Sequence, residues 1–167
     1  MAADSEAIKK LRELTGAGIL DCKQAWEESG RDFEKAKEIL KQKGHTAAAK
    51  KAERATAEGL VRAYLHHNGR VGSLVEVNCE SDFVARTDHF QQLTQDIALQ
   101  VAATNPQYVG PEDVPEGADG DPKDLCLLLQ PFVKEESTTV GDMVNEAIRK
   151  TGENIRVRRF ARFELGR

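Results

Sequence analysis

At 167 residues, 40% of them hydrophobic and 31% charged, the chain has an ordinary globular composition and room for one core plus a small satellite domain. Its net charge of −4 excludes a global basic field that would draw it onto nucleic acid or an anionic membrane. Cys22, Cys79 and Cys126 are far apart and form no CxxC pair, which excludes a zinc cluster or redox dithiol of that kind and suits a reducing compartment.

The first forty-four residues predict three short helices. Asp4 or Ser5 can cap the first, and Ile8, Leu11 and Leu14 recur at helical spacing until Thr15-Gly16. The second follows Gly18, carries Leu20, Ala25 and Trp26, and stops at Ser29-Gly30. Asp32 caps the third, whose apolar face is Phe33, Ala36, Ile39 and Leu40, with Gly44 placed beyond its end. Residues 45–58 are alanine-rich and charged and predict a solvated helical linker. The domain reading is therefore a three-helix unit over 1–44, a basic linker over 45–58 and a core over 59–167.

The core opens with two strands, Leu60 to His67 and Arg70 to Asn78, around an Asn68-Gly69 hairpin turn. That register sets Tyr64 opposite Ser73 and Ala63 opposite Leu74, and leaves apolar side chains on both faces. A sheet apolar on both faces needs covering on both, by helices or by another subunit. After Cys79-Glu80-Ser81-Asp82 the period turns helical through Phe90, Leu93, Ile97, Ala98, Val101 and Ala102. A Pro/Gly/acid-rich loop occupies 105–122, and a helix is expected from near Asp121 through Leu125, Leu128 and Leu129, limited by Pro131. Thr139-x-x-Asp142 is a capping box ahead of Val140, Met143, Val144, Ala147 and Ile148, and Ile155 to Leu165 alternates as a third strand. The fold class is α+β, with helices beside an antiparallel three-stranded sheet.

No catalytic pattern emerges. Gly16-Ala17-Gly18 lies between helices, and no GxxxxGK[ST] loop occurs, so direct nucleotide binding is not expected. Cys79, Asp82, Asp88 and His89 are close in sequence, but Cys79 ends a strand and reads as a structural thiol. His66 and His67 point to opposite faces, and the acids show no ligand spacing, so neither metal nor cofactor is expected. The opening MAADSEAIKK is no signal peptide and no apolar run is long enough to span a bilayer, so a cytoplasmic, membrane-free protein is expected. Lys41, Lys43, Lys50, Lys51 and Arg54, and Arg156, Arg158, Arg159 and Arg162, lack interleaved aromatics and read as solvated faces; an RNA-associated accessory or scaffold protein is the alternative they leave open. Two segments resist a bland account. Ile19 and Leu20 follow a glycine turn where one could be core and the other an exposed contact, and Phe83 either projects from its turn or caps the core edge.

Three motifs in order carry a resemblance. LRELTGAGILDCKQAWEESGRD is similar to the N-terminal signature of the elongation factor Ts family, VEVNCESDFVAR to its second signature, and GENIRVRRFARFELG to a core strand. The likeness runs from about Ile8 to Gly166. It implies a ubiquitin-associated-like three-helix domain before an α+β core, and a non-enzymatic guanine-nucleotide exchange factor for elongation factor Tu. The family's TDFV segment, which enters the partner's GTPase domain near the magnesium, maps onto Ser81, Asp82, Phe83 and Val84; Ser81 replaces the usual Thr. The family's N-terminal contacts map onto Arg12, Ile19 and Leu20, where many relatives carry methionines at the last two. Longer members have a duplicated core, and short ones pair two chains instead, which implies a homodimer and a two-to-two complex.

Overall fold

The computed structural model describes residues 2–167, with side chains from residue 4 onward. Helices α1 (Ala2–Thr15), α2 (Ile19–Glu28) and α3 (Phe33–Ala49) form the N-terminal bundle. Leu11, Ala17, Cys22, Ala25, Ala36 and Leu40 close its core, with Ile8, Trp26, Phe33 and Ile39 packed around them. The first helix begins before Asp4 and Ser5, so neither caps it. Asp4 instead accepts the Trp26 indole N–H at 3.0 Å and ties α2 to α1. Asp32 caps α3 as its sequence position predicts, accepting the Lys35 amide at 3.0 Å.

Gly44 does not end α3. The helix continues to Ala49, because Gly44 is buried against α7 (Val140–Thr151), where a Cβ on Gly44 would lie 3.8 Å from the Arg149 side chain. Ala48, one turn further on, joins the main hydrophobic core. Of the stretch after Gly44, residues 45–49 are thus packed helix and 50–57 turns and irregular chain, and the expected solvated helical linker shrinks accordingly.

That main core is built on strands β1 (Glu58–Leu65), β2 (Val71–Cys79) and β5 (Ile155–Glu164), antiparallel in the order β1-β2-β5. The hairpin register is the one read from sequence, Tyr64 opposite Ser73 and Ala63 opposite Leu74. Its turn is wider: His66 accepts the Gly69 amide, only Gly69 of the Asn-Gly pair takes positive φ (+67°), and the ladder closes at His66–Val71. Helix α5 (Asp88–Thr104) and α7 cover one face of the sheet, burying Val75, Val77, Phe90, Ile97, Val101, Val140 and Ala147. Thr139 and Asp142 form the predicted capping box of α7.

The single helix expected through Leu129 is broken. A short α6 (Pro122–Leu125) stops at Cys126 and is followed by a 3-10 turn. Residues 107–109 pull it apart: the Leu125 carbonyl accepts the Gln107 and Tyr108 amides, and the Leu127 and Leu128 amides donate to Tyr108 and Val109. A small hairpin, β3 (Pro131–Phe132) with β4 (Glu135–Thr139), then leads into α7.

Candidate functional site

The segment Ser81–Val84 forms the turn between β2 and α5, and its four residues have four different surroundings. Ser81 caps the one-turn helix α4 (Asp82–Ala85), its hydroxyl accepting the Val84 amide at 3.4 Å. Asp82 pairs with Arg86 at 2.7 Å, and Val84 is buried in the main core. Phe83, between two anchored neighbours, is 80% exposed. Of the two placements open in the sequence, the structure takes the projecting one.

The turn is fixed from below by the corner between α7 and β5. Glu153 Oε2 accepts the Glu80 and Ser81 amides at 3.1 and 3.0 Å, and its Oε1 accepts the Ser81 hydroxyl at 2.5 Å. In return the Asn154 amide donates to Glu80 Oε1 at 2.6 Å. The buried Asn154 side chain donates to the carbonyls of Ala52 and Arg54, pinning the chain that arrives from α3. Cys79 sits under this corner, its thiol pushed up to about 11, first by burial and then by the Glu153 carboxylate. Such a thiol is no nucleophile near neutral pH. No local sequence pattern marks Glu153 or Asn154, because both act on residues more than seventy positions away.

Ile19 and Leu20 open α2 and are 59% and 78% exposed, so neither enters the bundle core. Arg12 is also exposed, and it lines with Ile8, Ile19, Lys23 and Trp26 a groove of about 690 Å³ between α1 and α2. Behind the preceding loop lies α7. A Cβ on Gly16 would fall 2.3 Å from the Lys150 ε-carbon, so the lysine stem occupies the space that any other residue's side chain would need. Lys150 pairs with Glu146, and His89 at the start of α5 is close enough to feel both: burial and then the lysine lower its pKa, while Glu146 opposes them. The two exposed segments therefore belong to different elements but back onto the same end of α7. Among the described residues no group of three His, Cys, Asp or Glu side chains is placed to hold a metal ion, and no helix is long and apolar enough to cross a membrane.

The profile of the family described as Elongation factor TS matches residues 8–118, which include both segments. Elongation factor Ts of Carboxydothermus hydrogenoformans is 50% identical over 192 positions, covering 97% of this chain and 88% of that protein. The protein of that name from Thermotoga neapolitana is 48% identical, with 99% and 98% covered. These alignments are longer than the chain, so the relatives carry segments that it lacks. An α+β protein with this profile and these relatives is a translation elongation factor. The chain belongs to the elongation factor Ts family.

Proposed function

We propose that the protein is the guanine-nucleotide exchange factor of elongation factor Tu, a cytoplasmic protein that holds no nucleotide, uses no cofactor and catalyses no covalent step. Phe83 carries the reading: a large apolar side chain, 80% exposed, on a turn whose other residues are capped, paired or buried. Burying a phenylalanine is worth about 1.5–3 kcal/mol, and a free protein that leaves it in water forgoes that gain until a partner supplies the pocket. Phe83 enters the GTPase domain as a wedge beside the magnesium, Asp82 helps set the turn and competes electrostatically on the metal's side of the site, and Ser81 and Val84 hold the turn. Arg12, Ile19 and Leu20 anchor the bundle on the same domain.

The factor binds the nucleotide-free partner better than the GDP-bound one. By linkage it weakens GDP by the factor by which GDP weakens it, and the identity of the incoming nucleotide is left to concentration. The working units are the three-helix domain 1–44, the linker 45–58 and the core 59–167, with α3 running from the first into the second. Two copies join through their sheets, giving a homodimer and a two-to-two complex.

The basic residues argue against RNA as the partner, since most are committed within the chain. Lys41 pairs with Asp142, Lys43 with Glu28, Arg54 with Glu80, Arg158 and Arg159 with Glu76, and Arg162 with Glu164. Stopped-flow release of a fluorescent GDP analogue from elongation factor Tu tests the proposal. Saturable acceleration is expected, and Phe83→Ala should slow it at least about tenfold, equivalent to about 1.4 kcal/mol of coupling. Unchanged rates with Phe83→Ala would remove the wedge; no acceleration by the folded wild type would remove the function.

A further inference from the structure

We infer that Glu153, outside both contact segments, is the positioning residue that presets the Phe83 turn for its partner. The inference rests on Phe83 being the wedge.

A one-turn helix such as α4 cannot hold itself, because too few backbone hydrogen bonds form to offset the dihedrals they fix. Burial of Val84 and Ala85 and the Asp82–Arg86 pair hold its body, and the hydrogen bonds that order its entry converge on one carboxylate. Ser81 has a single hydroxyl proton, and donating it to Glu153 Oε1 leaves the oxygen's lone pairs to face the Val84 amide. The same carboxylate takes the Glu80 and Ser81 amides, the last two donors before the turn. Glu153 thus fixes both the backbone entering the turn and the rotamer of the cap inside it. Phe83 follows two residues after the clamped amide, and its direction is set by that backbone.

The corner does more than hold one loop. Glu80 reaches back to the Asn154 amide and to Arg54, while Asn154 holds the carbonyls of Ala52 and Arg54. Three residues before Glu153, Lys150 lies against Gly16 in the loop that leads to Ile19 and Leu20. Both contact segments therefore take their position from the last turn of α7 and the corner after it. A partner that must meet two apolar contacts at once gains if their spacing is set beforehand, since side chains ordered in advance need not be immobilised on binding.

The test is a double-mutant cycle with Glu153→Ala, Phe83→Ala and the double variant, read by GDP-release kinetics and by amide hydrogen exchange of the free factor. In Glu153→Ala, amide exchange at Glu80 and Ser81 should quicken at least about tenfold, reporting an opened clamp without any partner. The limiting release rate should fall about three- to tenfold, and Glu153→Gln, which keeps an acceptor oxygen, should recover most of it. Because Glu153 acts through Phe83, adding Glu153→Ala to Phe83→Ala should slow release no further. Multiplying effects in the double variant would overturn the inference, as would a normal release rate in Glu153→Ala while Phe83→Ala is slow. A normal rate in Phe83→Ala itself would instead sink the wedge, and the positioning role with it. If Glu153→Ala does not fold, Glu153→Asp withdraws the carboxylate by one methylene; faster exchange at the Glu80 and Ser81 amides with slower release supports the role, and neither change overturns it.

Discussion

At the scale of single residues, function depends on which side chains the fold leaves out and which it shuts in. Ile19, Leu20 and Phe83 stand in water, while their neighbours Cys22 and Val84 are core. The three cysteines are the clearest case of enclosure. Each is buried, and burial raises all three pKa values, that of Cys79 to about 11. At pH 8 Cys79 would then be thiolate in roughly one molecule per thousand, against about a quarter for a free thiol of ordinary pKa. The native protein should therefore react with none of its thiols in a short exposure to a thiol-specific chromogenic reagent at pH 8, and with all three in guanidinium. Rapid labelling of Cys79 in the folded protein would show that the β2–α4 corner opens easily, contrary to the hydrogen bonding seen there.

At the scale of elements, α7 organises the molecule, meeting α3 at its start and the Phe83 turn at its end. Asp142 does two jobs there: it completes the α7 capping box with Thr139, and it receives Lys41 at 2.8 Å and His45 at 3.0 Å from α3. Burial pushes its pKa up, but the Lys41 and Thr139 hydrogen bonds outweigh that and hold it below the ordinary aspartate value. A folded value below the unfolded one means that the carboxylate stabilises the protein fully above about pH 4 and loses that contribution as pH falls through the depressed value. Asp142→Asn should cost about 1–2 kcal/mol near neutrality and flatten the acid limb of stability below about pH 4. Thermal melts from pH 7 to 2 decide it, and an acid limb as steep as wild type would rule out Asp142 as its source. The capping box itself was legible in the sequence, because Thr139 and Asp142 are three residues apart and the side chain of each bonds the other's backbone. So were the apolar stripe of α5 and the β1–β2 register, which depend on local period. What sequence reading missed was set at a distance: α3 runs through Gly44 because Arg149 packs there, and α6 breaks because residues 107–109 claim its backbone groups. The site divides in the same way. Ser81 to Val84 could be found from a motif, whereas Glu153 could be found only once the fold had carried it to Ser81.

At the scale of the whole molecule, the sheet has one face too many. The hairpin pattern predicted apolar side chains on both sides, and the face away from α5 does leave Val61, Leu65, Leu74 and Phe163 between 47% and 73% exposed. They are neighbours: Leu65 pairs with Gly72 and Gly72 with Phe163, while Leu74 lies opposite Ala63 and Ala161. Monomers seldom leave such a patch open, and a second copy supplies a surface of the same shape and polarity. With roughly two-thirds of its surface still exposed on average, each side chain would recover roughly two-thirds of the 1.5–3 kcal/mol that full burial gives, so the eight in two copies would gain about 8–16 kcal/mol. Association costs about 4–15 kcal/mol, and a micromolar dimer needs about 8 kcal/mol beyond that cost, so this gain supports one only near its upper end, with little margin. Such a balance should be sensitive to one charge. Sedimentation equilibrium of the wild type at tens of micromolar should give about twice the 18.4 kDa chain mass, falling towards one chain on dilution. Phe163→Glu, which changes a side chain 73% exposed in the single chain and so should leave the fold intact, should give 18.4 kDa throughout. A wild type that stays monomeric at these concentrations would remove the dimer and the two-to-two complex, and the open face would then need a different partner.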